Sequence, residues 1–97
     1  MIEFDTPRNM RWDLDSEEVR FAAVRDQKMI LCRVSGAAIR SHFVISGSNE
    51  GVLQAARRNF DKISKLAHQA IVGRRFETDD SIFLSSADFE TRSAFDA

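Results

Sequence analysis

Cys32, His42 and His68 are the side chains of this sequence best suited to nucleophilic chemistry or to holding a metal, and their spacing supports neither. A reactive cysteine needs an electropositive, partly exposed setting with a histidine in reach. Cys32 stands instead between Ile30 and Val34 on the apolar side of a strand-like run, where a buried structural thiol is expected. Zinc sites repeat their ligands at short intervals, as in Cys-x-x-Cys or His-x-x-x-His. Here none of the three is paired in that way. The carboxylates cluster as Asp13, Asp15, Glu17 and Glu18 and again as Asp79 and Asp80, in segments that read as loops and turns. Such clusters are expected to be solvated or to cap local backbone. Four glycines are too few and too scattered for a phosphate loop or a dinucleotide fingerprint. The sequence therefore predicts no catalytic residue, no metal and no cofactor, and a protein that is not an enzyme.

Charge offers the one functional hint. Net charge is −1, yet residues 20–75 carry 11 basic side chains against three acidic ones, while both ends are acidic. Arg57, Arg58, Lys62 and Lys65 share the polar side of a helical pattern, and Arg74 and Arg75 extend it. A stripe of this kind can follow a phosphate backbone, although Asp61 interrupts it and no aromatic residues interleave. The acidic ends could equally balance it within the fold.

These side chains must be positioned by a small number of elements. Val52, Leu53, Ala56, Phe60, Ile63, Leu66, Ala67, Ala70 and Ile71 recur at steps of three and four, predicting one long amphipathic helix from Asn49 to Gly73. Ser48 or Asn49 suits its N-cap and Gly73 a left-handed C-terminal position. Residues 19–24 and 28–34, whose side chains alternate between two sides with Val19, Phe21 and Ala23 sharing one, flank Asp26-Gln27 and predict a β-hairpin. That alternation places Met29 and Leu31 opposite Ile30, Cys32 and Val34. Ile2-Glu3-Phe4 predicts a first strand ending before Pro7. A short helix capped by Ser35 follows the hairpin, with Ala38, Ile39 and Phe43 facing inward and Gly36 a weakness in its first turn. Ser46-Gly47-Ser48 links the two helices. Residues 74–78 and 82–84 flank Asp79-Asp80 as a second hairpin, whose Phe83 cannot share the face of Ile82 and Leu84 and becomes a candidate interaction surface.

The resulting order, β-β-β-α-α-β-β, is a small α+β domain with a mostly antiparallel sheet packed against one long amphipathic helix and one short helix. It is expected to span residues 1–86, with 87–97 a polar, loosely ordered tail holding Phe89 and Phe95. No secretion signal or membrane-length apolar run is present, and one cysteine cannot form an intramolecular disulfide. A cytoplasmic protein is expected.

Val19-Arg20-Phe21, the strand end Ile30-x-Cys32-x-Val34-Ser35, Phe60-x-x-Ile63, Ser81-Ile82-x-Leu84 and the closing Asp88-Phe89 also occur together in this order. In that spacing the chain resembles a family of small bacterial proteins known as domain-of-unknown-function family 1488, over residues 1–89. Asp80 departs from it, standing where a turn residue such as glycine is expected. The resemblance implies one small α+β domain and assigns no reaction, substrate or site residue. Two functional expectations follow. The first is a non-enzymatic interaction module, acting through its sheet or helix surface on a protein partner or on a second copy of itself as a homodimer. The alternative is a nucleic-acid-associated protein using Arg57, Arg58, Lys62, Lys65, Arg74 and Arg75.

Overall fold

Asp26 and Gln27 both adopt left-handed backbone, with φ of 52° and 67°. A two-residue loop of that geometry matches the twist of the strands it joins. It closes the hairpin of β3 (Glu18–Arg25) and β4 (Lys28–Ser35), in register from Arg25 opposite Lys28 to Glu18 opposite Ser35. The computed structural model describes residues 1–43 and 49–90. The predicted link at 46–48 and the tail beyond residue 90 lie outside them.

This hairpin is the centre of a five-stranded sheet. On one side β3 pairs antiparallel with two short strands, β1 (Ile2–Phe4) and β2 (Arg11–Asp13). Between those two, a 3-10 turn at Pro7–Asn9 takes the chain out of the sheet, as a proline without an amide donor favours. On the other side β4 pairs with β5 (Ile82–Leu84). Three helices follow β4: α1 (Gly36–His42), α2 (Asn49–Arg58) and α3 (Phe60–Val72). The fold is α+β with a mostly antiparallel sheet, as expected.

Four details depart from the sequence reading. First, β2 joins the sheet, although its polar flanks mask a strand of three residues. Second, the long helix breaks at Asn59, whose φ and ψ are −108° and 27°. Asn59 directs both its backbone N–H (3.1 Å) and its side-chain amide (2.8 Å) to the Ala55 carbonyl. Asparagine competes with the helix ladder in this way. The break lets α2 lie against β2 and α3 against β5. Third, the second hairpin shrinks to one antiparallel bridge between Phe76 and Ile82. β5 instead runs parallel to β4, with Cys32 opposite Ile82 and Val34 opposite Leu84, which the crossover through the helices makes available. Asp80 takes φ of 65°, the left-handed geometry for which glycine is the usual residue. Fourth, Phe89 is not in a loose tail. Residues 86–90 are helical, and Phe89 is 1% exposed, stacked on His42 and edge-on to Phe43. Ser85 and Asp88 start this helical turn reciprocally: Asp88 accepts the Ser85 amide at 2.8 Å and donates its own to the Ser85 carbonyl at 3.0 Å.

Helix ends also differ by small shifts. Gly73 has φ of −78°, and Arg74 takes the left-handed position at 58°. The Arg74 and Arg75 amides then reach the Ile71 and Ala70 carbonyls at 3.0 and 2.9 Å, a Schellman ending with arginine at its left-handed residue. Ser35 occupies the N-cap position of α1 but makes no side-chain capping bond.

The core lies between the helices and one face of the sheet. Val19, Phe21 and Ala23 of β3, Ile30, Cys32 and Val34 of β4, and Ile82 and Leu84 of β5 meet Ala38 and Ile39, Val52, Ala55 and Ala56, and Ile63, Leu66, Ala67, Ala70 and Ile71. Phe4, Phe21 and Phe60 form an aromatic triangle with centroids 5.8–6.5 Å apart at its edge.

Candidate functional site

Since all described helices lie on one side, the alternation of the strands leaves the opposite side of the sheet open. Paired residues in register share a face. The open face therefore carries Glu3, Arg11, Asp13, Glu18, Arg20, Ala22, Val24, Met29, Leu31, Arg33 and Phe83. It divides into two halves. Near the hairpin turn, Val24 faces Met29 and Ala22 faces Leu31, and Val24, Met29 and Leu31 are 41%, 78% and 39% exposed. These three adjoining apolar side chains have no covering element among the described residues.

The other half is a charged array running across the strands. Glu18 is only 2% exposed, because two guanidinium groups close over its carboxylate. Arg20 donates to it at 3.0 Å and Arg33 at 3.3 Å. Arg20 also approaches Asp13 at 3.6 Å. Arg33 donates to the Ser81 hydroxyl at 3.2 Å, and Ser81 donates in turn to Asp79 at 2.6 Å. The same guanidinium lies 5.0 Å from the centroid of Phe83, a cation–π arrangement. Hydrogen bonds from the Ser81 hydroxyl and amide hold the Asp79 carboxyl below its usual value, and those from Ser16 do the same for Asp13. Glu18 thus corrects the expectation that its cluster is all solvated surface. Its position at a strand start resembles a loop acid, and only pairing with β4 brings Arg33 onto it.

Phe83 does point away from Ile82 and Leu84, as its place in the strand requires, but it is half-buried beneath Arg33. The more exposed residues are Met29 and Leu31, whose outward position is legible in the alternation of 28–34.

The six basic candidates are not one surface. Arg57 is half-buried and donates through Nη2 to the Arg8 and Met10 carbonyls at 3.2 and 3.1 Å, pinning the 3-10 segment to α2. Arg75 pairs with Asp88 at 2.7 Å. Arg58, Lys62, Lys65 and Arg74 are exposed, with Lys62 5.8 Å from the Phe43 ring centroid. Cys32 is fully buried, and desolvation pushes its thiol up to about 12. His68 is exposed, whereas His42 stacks on Phe89. Among the described residues no three His, Cys, Asp or Glu side chains converge on a metal position, and no helix is long and apolar enough to cross a membrane.

No curated protein matches this chain. A crystal structure of a protein of unknown function from the DUF1488 family, from Shewanella loihica PV-4, is similar, with a TM-score of 0.73. The likeness covers 86% of this chain and 90% of that one at 19% identity, which establishes the fold alone. The family model for the protein of unknown function DUF1488 matches residues 2–84, and the chain belongs to that family.

Proposed function

We propose that this protein is a non-enzymatic, cytoplasmic interaction module that pairs the open face of its sheet with the same face of a second copy. The observation that carries this reading is the uncovered apolar row of Val24, Met29 and Leu31 beside a charge-balanced array. A two-fold contact brings a surface against itself, so a net charge of either sign would repel. Glu3, Asp13 and Glu18 here offset Arg11, Arg20 and Arg33. A face that binds nucleic acid carries a positive surplus instead. The helix stripe offers that role less support, because Arg57 and Arg75 are engaged within the fold.

Light scattering across a concentration series tests the proposal. The wild-type protein should rise to twice its 11.0 kDa chain mass. Met29→Asp and Leu31→Asp should hold it at the single-chain mass while still unfolding cooperatively, since both side chains face outward, and should remove the concentration dependence of its melting temperature. A wild-type protein that stays at single-chain mass throughout, or a dimer that survives both substitutions, refutes the pairing. Duplex DNA bound in a salt-sensitive manner and lost on Arg58→Glu with Lys62→Glu would favour nucleic acid instead.

A further inference from the structure

At the free edge of β2, Arg8, Arg57 and Arg11, the last shared with the rim of the open sheet face, surround an open recess of about 410 Å³ whose other walls are Met10, Trp12 and Leu53. Among the described residues no carboxylate lines it. Arg57 is fixed there by its two bonds to the Arg8 and Met10 carbonyls, so its charge cannot swing away into solvent. Arg8 and Arg11 are exposed at the rim. Behind these walls, Nε1 of Trp12 and Nε of Arg57 are buried with no hydrogen-bond partner among the described residues. Three guanidinium groups gathered at one recess are matched by a ligand rich in acceptor oxygens and negative charge. The indole and Leu53 add an apolar wall that bare surface arginines lack. We infer that this recess binds a small phosphate-bearing ligand, with Arg8 and Arg11 engaging its oxygens and Arg57 supplying fixed positive charge behind them.

Trp12 is the only tryptophan of the chain, so its emission reports occupancy directly. The full chain would be titrated with inorganic pyrophosphate at constant ionic strength, with thermal melting as a second readout. The expected result is a saturable change in emission and a raised melting temperature. Arg11→Ala and Arg8→Ala should each weaken binding about tenfold, the loss of one charge-assisted contact. Lys62→Ala with Lys65→Ala should leave it unchanged. Absence of saturation in both readouts at millimolar pyrophosphate overturns the inference. So does equal weakening by the Lys62 and Lys65 substitutions, which would indicate general charge attraction. Citrate binding as tightly as pyrophosphate would overturn the assignment to phosphate.

Discussion

Replacing Gly36 by alanine sets helix propensity against steric space, and the geometry decides which wins. Alanine in the first turn of α1 would gain at most about 1 kcal/mol over glycine from propensity. Its Cβ, however, would lie 2.8 Å from the Glu17 carbonyl oxygen and 2.8 Å from Cη2 of Trp12. The indole can shift, but the carbonyl has little freedom. It accepts the Gly36 amide at 3.0 Å and belongs to a residue already held at a φ of 52°. Overpacking of this kind costs about 1–3 kcal/mol, and a backbone atom as the obstacle places it toward the upper end. The net loss should be about 1–2 kcal/mol, which for a domain of this size lowers the melting temperature by roughly 4–16 °C. Calorimetry would measure it, and the emission of Trp12 should shift because its ring is displaced. Trp12→Leu combined with Gly36→Ala should lose less stability than the two single losses added together. An alanine variant as stable as wild type would refute the steric argument and leave propensity as the dominant effect.

Phe89→Ala should cost about 3–5 kcal/mol, the range for truncating a buried phenylalanine; a change under about 1 kcal/mol in denaturant unfolding would mean that residues 86–90 do not belong to the cooperative core. Arg74→Gly should stabilise the protein by about 0.5–1 kcal/mol, because glycine relieves the left-handed strain while enlarging the unfolded ensemble; chemical denaturation showing a loss would contradict it. The buried Cys32 thiol, raised from 9.0 to about 12, should resist thiol reagents at pH 8 until the protein unfolds. Since the unfolded chain releases this proton first, its contribution is intact below pH 9 and is lost as pH rises toward 12. The slope is about 1.4 kcal/mol per pH unit, and unfolding curves of Cys32→Ala should lack that component.

The hairpin around Asp26-Gln27, the inward faces of the helices and the burial of Cys32 were legible in the sequence because each follows from a period of two or 3.6 residues. The outward position of Met29 and Leu31 was equally local. The Ser85-x-x-Asp88 pair was an available signal for the last helical turn, hidden by the polar composition around it. Other features could not be read that way. The parallel pairing of β5 with β4 depends on how three helices return the chain to the sheet. The burial of Glu18 depends on Arg33, a strand away, and the engagement of Arg57 depends on carbonyls 47 and 49 residues earlier. The helix breaks where Asn59 lets its two halves follow different strands of a twisted sheet. Sequence by itself determined which faces are apolar, because that choice is made residue by residue. Tertiary structure decided which charges are paired, which recess gathers arginines and which sheet face stays open. Those outcomes depend on contacts between residues far apart in the chain, and local periodicity carries no information about them.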